Sequence, residues 1–164
     1  MAKNSKKVQK NIKKENNRKL LSENRYAKFQ YAISEIIEAG IELLGTEVKS
    51  IRDGKANLRD GFCAFRDGEI LLLNVHISPH KNVGSFFNHD PLRNRKLLLH
   101  KKEIIKLKSN TEKKGMTIVP LSLYLKGSWI KLTIGVGKGK KLYDKRQDDK
   151  QKTMNKEINS ALKR

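Results

Sequence analysis

Cysteine, long apolar runs and acidic residues are scarce in this 164-residue chain. The one cysteine, Cys63, excludes an internal disulfide and a cysteine-rich zinc site, and its place in a predicted strand indicates a small core residue. No stretch is apolar enough to span a bilayer, and the basic N-terminal segment lacks the apolar run of a signal peptide. We therefore expect a cytoplasmic protein that does not enter a membrane.

Aromatic side chains are also few, at 6% of the residues. A general single-strand binder of the cold-shock kind stacks successive bases on several surface aromatics. The composition therefore disfavours that class.

The basic residues are concentrated in three segments. Lys and Arg number 37 against 17 Asp and Glu, which gives a formal net charge of +20. Residues 1–19 and 93–114 each carry a net +7 and residues 138–164 carry +6, so the rest of the chain sums to zero. This distribution indicates a surface for a polyanion.

The chain length and the apolar pattern predict one domain with two basic ends. We expect a basic flexible arm over residues 1–15, a folded domain over residues 16–137 and a basic tail over residues 138–164. Like-charged ends of this kind stay disordered until a partner binds.

Alternating apolar and polar residues predict a mainly β domain. A long strand over residues 27–44 is favoured, although the apolar residues of the segment 35–51 also fit a helical stripe. A helix over residues 46–52 follows, which Thr46 caps and Asp53-Gly54 ends. The remaining predicted elements are strands over residues 62–66, 69–75, 95–99, 117–125 and 128–136, and a helix over residues 100–109.

Two glycine-containing pairs predict the turns of β-hairpins. Asp67-Gly68 suits a type I′ turn, and Lys126-Gly127 connects the last two strands. About six strands and two short helices in so short a chain predict a small closed antiparallel barrel.

The glycine-rich run over residues 135–141 does not fit a phosphate-binding loop. No Gly-Lys pair precedes Ser or Thr, the Gly-x-Gly-x-x-Gly spacing is absent, and no helix is predicted directly after it. We interpret the run as a flexible basic hinge that leaves the barrel.

No constellation for catalysis or metal binding is visible. The four histidines and the single cysteine do not form a set of metal ligands. The four glutamates between residues 35 and 47 are most simply a solvated face, because a metal nuclease needs more carboxylates towards the RNA. No Ser or Cys has an evident base partner. We expect a protein that is not an enzyme and holds neither cofactor nor metal.

The basic segment at residues 93–102 surrounds three leucines. Charged flanks alone are compatible with a soluble sheet edge. Together with the two other basic segments they favour phosphate contacts, and RNA is favoured over DNA because no helix-turn-helix or zinc module is visible. We therefore expect the folded domain over residues 16–137 to be a β-barrel that binds RNA.

Seven short strings, taken in order, closely resemble the SmpB family of SsrA-binding proteins. The resemblance covers about residues 16–146. The strings are IEAG (37–40), GTEVKS (45–50), GKANL (54–58), NVHISP (74–79), NHDP (88–91), RNRKLLLH (93–100) and GKKLYDKR (139–146).

The resemblance implies both a fold and a function. The fold would be a closed six-stranded antiparallel barrel resembling the oligonucleotide-binding fold, with short flanking helices and basic disordered tails. The protein would be an adaptor that binds transfer-messenger RNA (tmRNA), enters stalled ribosomes and enables tagging of the nascent chain. Elongation factor Tu and alanyl-tRNA synthetase would be indirect partners through tmRNA.

By motif position, the resemblance implies that Glu38, Leu98 and Lys131 take part in tmRNA binding. Alternation places Lys131 outward, whereas for Leu98 a contact with a base and an ordinary core position both remain open. Glu38 would accept hydrogen bonds from base or ribose donors, or orient a neighbouring cation. Second-rank candidates for RNA backbone contacts are Arg18, Lys19, His89, Arg93, Arg95 and Lys96.

The resemblance also implies that the tail enters the vacant messenger channel near the decoding centre and becomes helical there. Apolar residues after Asp148 recur at three- and four-residue spacing, so the sequence permits such a helix. The alternative is an unstructured solubilising tail. The tail residues carried over as ribosome-binding are Gly139, Lys140, Lys141, Tyr143, Asp144, Lys145 and Arg146.

Two positions depart from the commonest family pattern. Gly137 stands where Ala is usual, which predicts a looser hinge. Tyr143 occupies a position that carries Tyr or His, so a role that needs a titratable imidazole is not expected there.

Two other functions remain as alternatives. A ribosomal structural protein with basic arms would show no preference for tmRNA over ribosomal RNA. An RNA-processing nuclease would need a metal and would cleave RNA.

Overall fold

The computed structural model describes residues 18–81, 83–112, 115–141, 143–144, 153–154 and 158. Its elements in chain order are β1 (Arg18–Glu23), α1 (Arg25–Gln30), β2 (Tyr31–Ile41), α2 (Gly45–Arg52), β3 (Ala56–Asn57), β4 (Phe62–Arg66), β5 (Glu69–Leu73), β6 (His76–Ile77), a 3₁₀ turn (Ser85–Phe87), β7 (Arg95–Leu98), α3 (Lys101–Thr111), β8 (Met116–Lys126) and β9 (Trp129–Gly139).

Six strands close into a barrel in the order β8-β4-β5-β7-β2-β9, with β9 pairing back onto β8. Every pairing in this ring is antiparallel, and β1 adds to β8 as a further strand. The short β3–β6 ladder forms a separate sheet. The predicted closed six-stranded barrel is confirmed.

The barrel is filled by alternating apolar side chains of its strands. In β9, Ile130, Leu132, Ile134 and Val136 are buried, as the alternation predicts. Burying one such aliphatic side chain contributes about 1.5–3 kcal/mol. Cys63 is also buried in this core, and burial raises the pKa of its thiol.

Residues 27–30 lie in the helix α1 (Arg25–Gln30), so the predicted start of a strand at Ala27 is wrong. The Asn24 side-chain oxygen accepts the Ala27 N–H at 3.0 Å and caps the helix. The Asn24 amide donates to the carbonyls of Leu58 (2.8 Å) and Pro120 (3.1 Å), which fixes the cap to the barrel. Ala27 then packs in a small second apolar cluster with Val119 and Leu121.

The prediction of α2 is correct in place but wrong about its cap. Leu44 is the N-cap, and the Glu47 carboxylate accepts the Leu44 N–H at 2.8 Å. The Thr46 hydroxyl instead contacts the His89 ring at 2.9 Å. Gly54, at φ +73°, follows the helix and donates to the Ile51 carbonyl, so the predicted termination is confirmed.

The two hairpin turns differ in type. Asp67 and Gly68 both have positive φ (50° and 77°), which confirms the type I′ turn between β4 and β5. The β8–β9 turn is Gly127-Ser128, one residue later than predicted, because Lys126 pairs with Trp129. Of Gly127 and Ser128, only Gly127 has a positive φ, which is the pattern of a type II′ turn.

The glycine-rich run is a strand over much of its length, so the predicted hinge is wrong there. Gly135 and Gly137 lie in β9 and pair with both β2 and β8. A Cβ at Gly137 would lie 2.8 Å from the Ala32 carbonyl oxygen, and one at Gly135 would lie 2.9 Å from Leu121 Cδ1. These glycines therefore permit close packing, and Gly137 does not loosen a hinge.

A buried ion cluster connects α2 with β7. The Glu47 carboxylate accepts hydrogen bonds from Arg95 Nε at 2.8 Å and from Arg93 Nη2 at 2.6 Å, and both Glu47 and Arg95 are fully buried. Arg95 also donates to the carbonyls of Val75 (2.7 Å) and Pro91 (3.1 Å). One guanidinium thus fixes the segment before β6 and the turn before β7.

We predict that Glu47→Gln lowers the free energy of unfolding by about 3–5 kcal/mol, because it leaves Arg95 buried without its counter-charge. Urea unfolding followed by circular dichroism would measure this. The matched control is Glu69→Gln, which removes an exposed ion pair with Lys96 and should cost about 1 kcal/mol or less. Equal losses in the two variants would contradict the buried-pair account.

The effect of Glu47 should depend on pH. Burial acts to raise the pKa of Glu47, but hydrogen bonds from Arg93 and the Leu44 N–H and the charges of Arg95 and Arg93 hold it below its ordinary 4.5. Because the pKa of Glu47 is lower in the folded than in the unfolded state, ionised Glu47 contributes its full stabilisation of the fold above pH 4.5. This contribution is lost as the pH falls through the folded-state pKa. The stability difference between the wild type and Glu47→Gln should therefore shrink in acid.

Candidate RNA interface

Backbone register aligns five residues in one row across the outside of the barrel. Leu20 of β1 pairs with Tyr124 of β8, which pairs with Lys131 of β9. Lys131 pairs with Gly40 of β2, which pairs with Leu98 of β7. Directly paired residues of neighbouring strands lie on the same face of the sheet. We call this the outer row.

A depression on this face brings together the three residues that the resemblance singles out. Glu38, Leu98 and Lys131 come from β2, β7 and β9, respectively. The lining residues are Glu38, Gly40, Leu98, Leu99, His100, Glu103 and Lys131. The barrel thus assembles one concave surface from residues that are distant in sequence, between Glu38 and Lys131.

Leu98 faces outward, which excludes the interpretation as an ordinary core leucine. Its side chain is 52% exposed, whereas Leu97 is the buried leucine of β7. A Cβ at Gly40 would lie 3.0 Å from Leu98 Cβ, so the absence of a side chain there lets Leu98 lie across β2. An exposed leucine beside a cation is suited to packing against a base.

The Glu38 carboxylate is occupied by groups of the protein itself. It accepts hydrogen bonds from the Tyr124 hydroxyl at 2.5 Å and from Lys126 Nζ at 2.6 Å, and Arg18 lies 3.5 Å away. The Arg18 guanidinium is also 5.1 Å from the centre of the Tyr124 ring. Of the two roles considered for Glu38, this arrangement favours orienting neighbouring cations. We call these four residues the Glu38 network.

The Glu38 network changes the acidity of two of its members. Burial acts to raise the pKa of Glu38, but hydrogen bonds from Lys126 and Tyr124 and the charges of Lys126 and Arg18 hold it below 4.5. Burial and the hydrogen bond to Glu38 raise the pKa of Tyr124 to about 12. At neutral pH the network therefore holds two cations, one carboxylate and a protonated phenol.

Tyr124 and Lys126 belong to the candidate site through Glu38, although Tyr124 is only 4% exposed, and neither was predicted from the sequence. They alternate outward on β8 and pair with Lys131 and Trp129. The alternation of β8 and β9 could have indicated both residues. A turn at Lys126-Gly127 instead of Gly127-Ser128 changes the register of the hairpin, which then does not pair Tyr124 with Lys131.

Lys131 differs from the other cations of this face because it forms no ion pair with a carboxylate of the described residues. Lys96 pairs with Glu69. Lys19 is exposed on β1, but it follows Arg18 directly and therefore points to the opposite face of the strand. Lys131 is thus the cation in the depression with a charge available for an incoming anion.

Two of the second-rank candidates are internal and are corrected here. Arg95 is fully buried and directed at Glu47 and carbonyl oxygens, so it has no surface for a phosphate. His89 is 6% exposed, and its two ring nitrogens contact the Thr46 hydroxyl and the Ile77 carbonyl. Arg93 is partly exposed but is bonded to Glu47.

The glutamates of residues 35–47 do not form one solvated face. Glu47 is fully buried, which corrects that interpretation, and Glu35 and Glu38 each bind a lysine. Among the described residues, no group of three or more His, Cys, Asp or Glu is placed to hold a metal ion.

The first tail residues continue directly from the barrel. Gly139 is the last residue of β9, and the Lys140 N–H donates to the Gln30 carbonyl at 2.8 Å. The Lys141 N–H donates to the Asp144 carboxylate at 3.3 Å, and Tyr143 is exposed in a helical conformation. Lys145 and Arg146 lie outside the described residues.

In the part of the chain that the structure describes, no helix is long and apolar enough to cross a membrane.

The closed barrel and its outer row define a small barrel protein of the oligonucleotide-binding class. The family described as SmpB protein matches residues 21–164. The chain belongs to the SmpB protein family, which confirms the resemblance seen in the seven strings.

Individual relatives agree with this assignment. An SsrA-binding protein of Prochlorococcus marinus strain AS9601 is 89% identical over 164 residues, which is 100% of both chains. An SsrA-binding protein of Prochlorococcus marinus strain MIT 9313 is 64% identical over 146 residues and covers 89% of this chain and 88% of the relative. A solved structure described as "tmRNA-SmpB: a journey to the center of the bacterial ribosome" has a TM-score of 0.63 and 47% identity, and covers 81% of this chain and 93% of the other.

The Glu38 network makes a prediction that needs no partner. We expect Lys126→Met to raise the pKa of Glu38, because it removes a hydrogen bond and a positive charge that oppose the effect of burial. Carboxyl-carbon NMR titration would measure the shift. Lys106→Met is the control, since Lys106 pairs with Glu35 instead. A Glu38 pKa that responds equally to both changes would contradict the network.

Proposed function

We propose that this protein is the tmRNA-binding adaptor of trans-translation. It binds alanylated tmRNA and delivers it to ribosomes stalled on messages without a stop codon, so that the nascent chain is tagged for degradation. The observation that carries the proposal is the match to the SmpB family over residues 21–164, which includes every residue of the outer row except Leu20.

The outer row supplies a physical basis for RNA binding. Lys131 offers a cation to a phosphate, and Leu98 offers an apolar surface to a base. Arg18 and Lys126 add two further cations that Glu38 holds in place. Charge supplies affinity, and the shape of the depression favours an unpaired segment of folded RNA.

The tail supplies a second part of the proposed function. In this proposal, residues 140–164 enter the empty messenger channel near the decoding centre and form a helix there, with the cations replacing contacts to absent messenger RNA. The family resemblance over residues 139–146 supports this proposal. The protein itself performs no bond chemistry, works in the cytoplasm, and meets elongation factor Tu and alanyl-tRNA synthetase only through tmRNA.

The proposed partner is tested by competition binding at physiological salt. Labelled tmRNA bound to the full chain is challenged with excess transfer RNA and with ribosomal RNA fragments. We expect binding to survive both competitors, because a shaped site adds to the charge. Equal displacement by either RNA would mean that charge alone drives binding, and a ribosomal structural protein would then be the better interpretation.

Variants of the outer row test the site in the same assay. Lys131→Ala should weaken tmRNA binding roughly tenfold to a hundredfold, corresponding to about 1.5–3 kcal/mol for a lost charged contact. Lys49→Ala removes the same charge from the exposed side of α2 and should have little effect. If both variants lose affinity equally, the site assignment is wrong.

A truncation separates the tail from the barrel. The chain should end after Lys141, since β9 pairs with β2 up to Gly139 and the Lys140 N–H bonds to Gln30. We expect this variant to keep tmRNA binding nearly intact and to lose tagging on stalled ribosomes in a reconstituted translation assay. Tagging that persists would refute the role of the tail.

A further inference from the structure

Trp129 is exposed at the edge of the outer row. It is the one tryptophan of the chain, and 76% of it is exposed. It begins β9 directly after the Gly127-Ser128 turn and lies two residues before Lys131. Residues two apart on a strand point to the same side and lie about 7 Å apart. The indole thus stands beside the outer row.

Cations line the same end of the sheet. Trp129 pairs with Lys126 across the turn, and Lys126 pairs with Arg18 of β1. The side chains of Lys126 and Arg18 are 46% and 44% exposed, although both contact Glu38. Two cations therefore share one carboxylate, and with Lys131 on the same strand as Trp129 the surface next to the indole is positive.

The indole has no aromatic partner among the described residues, and no described cation lies over its ring. Leaving a large apolar ring in water is unfavourable, and Trp129 packs against neither of the two apolar clusters of the described structure. A ring face that is open to solvent beside the cationic side chains of Lys126 and Lys131 suits a nucleobase, because a base of any identity can stack on an aromatic side chain.

We propose that Trp129 is a stacking surface for one unpaired nucleobase of the bound RNA, with Lys126 and, beyond it, Arg18 contacting phosphates on the β8 side of that base. This inference rests on the proposed function. It extends the candidate RNA interface along β9 from Lys131 to Trp129, two residues before it. It makes Trp129 a residue that selects an unpaired over a paired RNA segment, because a base within a duplex has no free face to offer.

The tryptophan is also the probe. Its emission in the full-length wild-type protein reports on Trp129 alone, since the chain has one tryptophan. Stacking of a base on an indole quenches its fluorescence. We expect quenching on addition of tmRNA and of a short RNA hairpin with an unpaired loop, and little quenching by a blunt RNA duplex. Equal quenching by the duplex would overturn the selection of an unpaired base.

Substitutions separate stacking from simple apolar contact. Trp129→Leu keeps an apolar side chain without a ring and should weaken tmRNA binding about tenfold, whereas Trp129→Phe should retain most of the affinity. Phe86→Leu is the matched control, since Phe86 is 90% exposed on the 3₁₀ turn and lies outside the outer row. Unchanged thermal unfolding would show that the variants remain folded.

The outcomes distinguish this inference from the proposed function. If tmRNA binds specifically but neither quenches Trp129 nor weakens with Trp129→Leu, the stacking inference fails and the adaptor function stands. If transfer RNA and ribosomal RNA displace tmRNA equally, the adaptor function fails first. Loss of affinity in Trp129→Leu equal to the loss in Phe86→Leu would also overturn the inference.

Discussion

The buried contact between Glu47 and Arg95 is the interaction on which the placement of the site depends. Glu47 lies on α2 and Arg95 begins β7, so the pair fixes the helix that follows β2 against the strand that pairs with it. Leu98, three residues after Arg95, reaches the outer row only because β7 is held in this register. Two charges removed from water are stable here because Glu47 accepts several hydrogen bonds and Arg95 donates several. Neither partner can be replaced alone without a buried, unpaired charge.

Closure of the barrel then creates the candidate RNA interface. The outer row crosses five strands whose residues span positions 20 to 131, and no two neighbouring members come from one strand. A fragment that contained only the basic segment at residues 93–114 would carry much of the charge and Leu98, but it would lack Glu38, Gly40 and Lys131, which complete the depression. The distinction matters for specificity, because charge binds any RNA whereas a shaped, partly apolar surface selects among them.

Alternation and turn residues were enough to predict the closed barrel, the β4–β5 turn and the inward face of β9, because these features depend on local pattern. The helix α1 could not be predicted in this way, since the cap residue Asn24 is fixed by carbonyls of Leu58 and Pro120, which are distant in sequence. The roles of the cations could not be read from charge either. Arg95 and Lys131 are both basic strand residues, and what separates them is a buried carboxylate 48 residues away from Arg95. The same holds for Gly137, whose small size is required by a neighbouring strand and not by a hinge.

A carboxylate at the centre of a surface for RNA needs a physical explanation, and the Glu38 network provides one. Glu38 costs the surface one unit of positive charge, which weakens its attraction to a polyanion at long range. In return it holds Arg18, Lys126 and the Tyr124 hydroxyl in fixed positions. Long cationic side chains otherwise lose rotamer entropy when they bind, at about 1–2 kcal/mol for each one that is ordered. Because Arg18 and Lys126 are already ordered in the free protein, much of that loss does not recur on binding. In the proposed function Glu38 therefore acts on RNA affinity through its neighbours, and its lowered pKa keeps it charged, and the network intact, near neutral pH.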